Sequence, residues 1–76
     1  MHQMAKLSVL MEEAMQIAWD YLDRSGDIDD EERCGRILAD SIKIMILQGV
    51  RSRLLLSNRA IDQYMRTLRA RALQVA

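Results

Sequence analysis

Hydrophobic residues recur at steps of three and four along three long stretches of the chain, which is the spacing of one face of an α-helix. The first stretch covers about 4–24, and its apolar face contains Met4, Leu7, Met11, Ala14, Ala18 and Tyr21. More apolar side chains flank this face, namely Leu10, Met15, Ile17, Trp19 and Leu22. One core contact needs a stripe of only about 100°. The wider face therefore predicts a helix with two neighbours, or with one neighbour and a partner chain.

A turn is predicted after the first helix, because Gly26 can adopt the left-handed conformation and the aspartates beside it favour turns. The second helix is predicted over about 30–48. Asp29 or Asp30 is its expected N-cap, and Gly49 is its expected stop.

The second helix is expected to be the central and most buried element. Its apolar face contains Cys34, Leu38, Ser41 and Met45. Between 42 and 47, every residue except Lys43 is apolar. A helix that is apolar on all sides is expected to be buried on all sides.

The segment 50–57 permits two interpretations. In the first, which we prefer, its leucines form an apolar connector, and Ser57 or Asn58 caps a third helix over about 58–73. In the second, Ser52 is the cap and the helix is continuous from Arg53. Either helix presents an apolar face of Ile61, Met65, Leu68, Ala72 and Val75.

Composition supports helices throughout, since the chain has no proline or phenylalanine, three glycines and six methionines. We predict an all-α fold, a small three-helix bundle in one domain, 1–76, with helices at about 4–24, 30–48 and 58–73. A chain of 76 residues and 8.8 kDa has a narrow stability margin. Homodimerisation is expected to complete the bundle, because it buries further apolar surface.

The apolar residues beside the predicted core faces are the candidates for an association surface. Methionine adapts to uneven surfaces, and tryptophan is a frequent interface anchor. The candidate interface residues are Leu10, Met15, Trp19, Ile44, Ile46 and Leu47.

The net charge of zero conceals an acidic first part and a basic last part. Residues 1–48 carry ten acidic and five basic side chains, whereas 49–76 carry six arginines and one acid. These two parts are expected to attract each other, within a chain or between subunits. Alternatively, the arginines contact an external anion such as a nucleic-acid phosphate. The candidate anion-contacting residues are Arg51, Arg53, Arg59, Arg66 and Arg69.

Residues for catalysis or cofactor binding are few. The one histidine, His2, lies at a terminus that is expected to fray, which argues against a Ser-His-Asp relay or a Cys-His pair within one chain. The one cysteine, Cys34, cannot form a cysteine zinc site by itself. The segment 25–32 matches part of an EF-hand calcium loop, with Glu32 at the bidentate position. However, Tyr21 stands where the first carboxylate ligand belongs. We therefore expect no enzymatic activity, no metal and no cofactor.

The sequence contains no secretory signal pattern and no apolar run of the roughly 20 residues that a membrane span needs. With its single cysteine, the chain is expected to be cytoplasmic. The predicted function is that of a non-enzymatic protein–protein interaction module, or a small adaptor or regulatory protein, acting as a helical homodimer and possibly on another protein. The alternative is a small nucleic-acid-binding regulator that uses the arginine-rich last helix.

Overall fold

Three α-helices account for most of the chain in a computed structural model, which describes the backbone of 2–75 and the side chains of 6–74. Helix α1 is His2–Ser25, α2 is Glu31–Leu47 and α3 is Arg53–Val75. Each helix packs against both of the others. The described residues contain no strand. The prediction of an all-α three-helix bundle is confirmed.

The turn between α1 and α2 follows the predicted chemistry. Gly26 has a φ of +73°, and the amide of Asp27 donates to the carbonyl of Leu22 at 3.0 Å, which closes the end of α1. Of the two candidate caps, Asp30 is the one used, because its side chain accepts a hydrogen bond from the amide of Arg33 at 3.1 Å.

The preferred start of the third helix at 58 is wrong, and the alternative start at Arg53 is correct. Ser52 caps α3, since its hydroxyl accepts a hydrogen bond from the amide of Leu55 at 3.2 Å. Ser57 is buried inside the helix, where its hydroxyl donates to the carbonyl of Leu54 at 2.9 Å. Its polar group is therefore satisfied without a cap, and Leu56 enters the core from the first turns of α3.

The core combines small residues of α1 with larger residues of α2 and α3. Its buried members are Ala14, Ala18 and Leu22 of α1, Cys34, Leu38, Ile42 and Met45 of α2, and Leu56, Ala60 and Tyr64 of α3. Tyr64 also fixes the loop between α1 and α2, because its hydroxyl donates to the carbonyl of Asp27 at 3.1 Å. The hydroxyl thus keeps a hydrogen-bond partner in a position without solvent.

The predicted core faces differ from the structure on all three helices. On α3 the predicted face is wrong by about one residue, because Ala60 and Tyr64 are buried, whereas the predicted Ile61, Met65 and Leu68 are half-buried, Ala72 is exposed, and Val75 lies outside the residues whose side chains are described. On α2, Ile42 is buried and Ser41 is only half-buried.

The end of α1 and the second half of α2 show the physical reasons. Tyr21 is 56% exposed, and Leu22 occupies the buried position at that level of α1. A straight α-helix drifts by about 20° per heptad from a strict seven-residue repeat, so the buried face moves by one residue near the end of α1. On α2, Ile44 and Leu47 are 55% and 78% exposed. The second half of α2 is therefore not buried on all sides, because its two neighbours cover only one side of it.

Leu38→Ala is expected to lower the free energy of unfolding by about 2–5 kcal/mol, because the substitution leaves a cavity at a fully buried position. Leu47→Ala on the same helix is the matched control and should change it by no more than about 0.5 kcal/mol. Urea unfolding of both variants measures the difference. Equal losses for the two leucines would contradict the assigned core.

Asp30→Ala is expected to lower the melting temperature at neutral pH. The hydrogen bond from the Arg33 amide holds the pKa of the Asp30 carboxyl below its ordinary value of 3.8. A carboxyl with a lowered folded-state pKa stabilises the fold above its unfolded-state pKa, and this contribution disappears as the pH falls through the folded-state pKa. The melting-temperature difference between wild type and Asp30→Ala should therefore shrink below about pH 4.

The control for this titration is Asp23→Ala, since Asp23 is an exposed acid at the C-terminal end of α1, where the helix dipole disfavours negative charge. This variant should melt at the wild-type temperature or slightly above it. A pH-independent difference for Asp30→Ala would show that the carboxylate is not the stabilising cap.

Candidate interaction site

Large apolar side chains remain exposed on all three helices. Among the residues whose side chains are described, those that are more than a third exposed are Val9, Tyr21, Ile44, Leu47, Leu54, Leu55 and Leu73. Single exposed apolar residues are ordinary on protein surfaces. Ile44 and Leu47 are different, because each lines a groove that contains further apolar residues.

The first groove lies between α2 and α3, has a volume of about 670 Å³ and is called here the α2–α3 groove. Its α2 wall is formed by Ile37, Asp40, Ser41, Ile44 and Met45, and its α3 wall by Arg59, Asp62, Gln63, Arg66 and Thr67. Within each wall the residues are separated by steps of three and four, or are direct neighbours. Each wall is therefore a helical stripe immediately beside the buried stripe of the same helix.

Charges of both signs line the α2–α3 groove. Asp62 and Arg66 form an ion pair at 2.9 Å along α3. Asp40 and Arg59 are exposed and take part in no ion pair within the described part of the chain. The groove therefore has one acid on its α2 wall and one base on its α3 wall that are available to an external partner.

The second groove lies between α1 and α2 and is called here the α1–α2 groove. It is lined by Leu7, Ser8, Met11, Lys43, Ile46 and Leu47. Lys43 is the one charged residue among the described lining residues, and the others are mainly aliphatic. This groove is thus more apolar than the α2–α3 groove and lacks paired charges of opposite sign.

The six candidate interface residues do not form one surface. Ile46 and Leu47 meet in the α1–α2 groove, whereas Ile44 lines the α2–α3 groove. Leu10 lies on another side of α1, beside Lys6, Val9 and Glu13. Met15 and Trp19 are half-buried and pack against the core.

Trp19 covers Gly35 of α2. A Cβ atom at Gly35 would stand 3.9 Å from the Trp19 ring, which is van der Waals distance. The ring therefore serves the contact between α1 and α2, and Trp19 is mainly a packing residue of the bundle.

The five candidate anion-contacting arginines are also separated, and three of them have partners inside the chain. Arg51 donates to the carbonyls of Ile46 at 2.9 Å and Val50 at 3.0 Å. Arg53 forms an ion pair with Glu13 of α1 at 2.6 Å, and Arg66 pairs with Asp62. Arg59 and Arg69 are exposed and make no ion pair with any residue that the structure describes.

Sequence reasoning missed the acidic side of the candidate site. Asp40 is not among the predicted site residues, although it is the only acid in the second half of α2 and precedes Ile44 by one helical turn. The periodicity places both residues on one stripe, but which helix forms the opposite wall depends on how the bundle packs. The hydrophobic pattern alone does not contain that information.

Cys34 and Tyr64 are the buried titratable groups at the end of the core near the α1–α2 loop. The predicted burial of Cys34 is confirmed. Burial raises the pKa of the Cys34 thiol, and the neighbouring Tyr64 hydroxyl offsets part of this increase. Burial also raises the pKa of the Tyr64 hydroxyl. Both groups are neutral at physiological pH, which is typical of a structural contact.

The acidic turn before α2 does not gather its carboxylates around a point. No group of three or more His, Cys, Asp or Glu side chains in the described part of the chain is placed to hold a metal ion. None of the described helices has the length and hydropathy of a membrane span.

Comparisons of the chain with protein-family models, with curated proteins and with solved structures find no match.

The Cys34 thiol is expected to react slowly with Ellman's reagent in the native protein and rapidly in urea, because the native thiol is buried and its pKa is raised. Ser8→Cys is the matched control, since Ser8 is exposed. It should add one rapidly reacting thiol to the native protein. Rapid native reaction of Cys34 itself would contradict its structural role.

Proposed function

We propose that the protein is a non-enzymatic, cytoplasmic protein–protein interaction module that acts as a helical homodimer. The observation that carries this proposal is the exposure of Ile44 and Leu47 on the helix that supplies the largest part of the core. Burying one such side chain contributes about 1.5–3 kcal/mol. A small bundle therefore gains a substantial fraction of its stability by covering these residues with a partner.

A second copy is favoured over nucleic acid by the distribution of charge. The arginines on the groove side of α3 alternate with acids, because Asp62 lies between Arg59 and Arg66 and Asp40 faces them from α2. Phosphate groups along this surface would meet both signs of charge. A nucleic-acid interface more commonly presents a continuous basic stripe.

Sedimentation velocity or light scattering tests the proposal over a concentration series from low micromolar to submillimolar. We expect a species of twice the chain mass of 8.8 kDa. The melting temperature should rise with protein concentration, because association stabilises the folded state by mass action.

Salt separates this proposal from the nucleic-acid alternative. An interface with an apolar centre should retain the dimer at high salt, whereas phosphate binding weakens steeply as salt increases. A single-chain mass at all concentrations, with a constant melting temperature, would refute the homodimer. Salt-sensitive binding of an oligonucleotide by such a monomer would support the alternative.

A further inference from the structure

The α2–α3 groove combines the features that a self-complementary contact needs. Its α2 wall contains the apolar residues Ile37, Ile44 and Met45, and Ile44 is 55% exposed. Asp40 on one wall and Arg59 on the other make no ion pair with the described residues of their own chain. An isologous dimer requires one surface that is complementary to itself.

The two charged residues stand at the same level of the bundle. Helices α2 and α3 are joined by a short turn at 48–52 and pack against each other, so they run antiparallel. Asp40 lies seven residues before the end of α2 at Leu47, and Arg59 lies six residues after the start of α3 at Arg53. At a rise of 1.5 Å per residue both are about 10 Å from the turn, so they stand at about the same level.

A two-fold axis parallel to the groove places α2 of one protomer opposite α3 of the other. Rotation about this axis does not change the position of a residue along the groove, so Asp40 of one protomer stays level with Arg59 of the other. We propose that a second copy of this chain docks in the α2–α3 groove in this way, with Ile44 at the apolar centre and an Asp40–Arg59 ion pair between protomers on each side. This inference rests on the homodimer proposed above and assigns its surface. It selects the α2–α3 groove over the more apolar α1–α2 groove because only the former carries complementary charges.

The available surface is adequate for such a contact. A standard interface buries about 800 Å² per partner, and the accessible surface of the chain is 5606 Å². One side of a three-helix bundle carries roughly a third of this accessible surface, which is more than the area that each partner must bury. The two ion pairs fix the register, while Ile44 and Ile37 supply the apolar contact.

The first test compares Ile44→Ser with Leu47→Ser. Both substitutions replace an exposed aliphatic side chain on α2, so neither should unfold the bundle, and circular dichroism verifies this. Ile44→Ser is expected to raise the dimer dissociation constant at least about tenfold, and Leu47→Ser should leave it within about twofold. The reverse result would assign the dimer to the α1–α2 groove and overturn this inference, while the homodimer itself would stand.

The second test exchanges the charges. Asp40→Arg and Arg59→Asp, each alone, place like charges opposite one another and should weaken the dimer by about tenfold. The double variant D40R/R59D should recover most of the wild-type affinity, because the pair is restored with its signs exchanged. Lys43→Glu, on the other side of α2, is the control and should change the affinity little.

If the losses of dimer affinity in the two single variants add in the double variant, the proposed ion pair is wrong even if a dimer forms. A wild-type protein that remains a monomer throughout the concentration series would instead refute the homodimer, and this inference with it. The mass of the wild-type protein in solution therefore distinguishes a wrong dimer surface from the absence of a dimer.

Discussion

A helix in a three-helix bundle can bury only the side that faces its two neighbours, and α2 has apolar residues around more of its circumference than that. Leu38, Ile42 and Met45 occupy the covered side. Ile37 and Ile46 beside it are half-buried, whereas Ile44 and Leu47 lie farther round the helix and are left exposed, each in one of the two grooves. Both candidate grooves result from this mismatch between the apolar circumference of α2 and the coverage that a bundle of this size provides.

The small residues of α1 allow the core to close around α2. Ala14 and Ala18 are fully buried, and the Trp19 ring lies against Gly35 of α2. Small side chains pack densely, but they provide little volume to cover the edges of α2. The same packing that stabilises the bundle therefore keeps Leu47 exposed beside α1.

Much of the fold could be predicted from the sequence because the relevant signals are local. The three helices follow from apolar periodicity, and Gly26, Asp30 and Gly49 mark turns through backbone chemistry that does not depend on the partner helix. The start of α3 was ambiguous because Ser52 and Ser57 are both acceptable caps by residue type. Packing decides between them, since Leu56 is buried only if the helix begins at Arg53.

The candidate site was less predictable because it depends on which helical stripes face each other. Periodicity correctly placed Ile44 outside the core face of α2, but it grouped Ile44 with Leu47 although the two lie in different grooves. The separation of charge along the chain likewise suggested broad attraction between an acidic part and a basic part. Among the residues whose side chains are described, there is instead one ion pair between helices, Arg53 with Glu13, and three pairs within or beside a single helix.

The four ion pairs among the described residues use only eight of the 22 charged side chains, so Asp40 and Arg59 are distinguished by their position on opposite walls of one groove. Exposed ion pairs within one helix contribute little to stability, and the pair between α1 and α3 is also largely exposed. Charge is therefore not what holds this bundle together, and its arrangement is free to serve recognition. Asp40 and Arg59 face each other across the same groove without a partner in the described residues of their own chain. The apolar contact at Ile44 supplies affinity, but it does not fix how the two protomers are aligned. A pair of opposite charges beside Ile44 fixes that alignment, because each charge must meet its opposite.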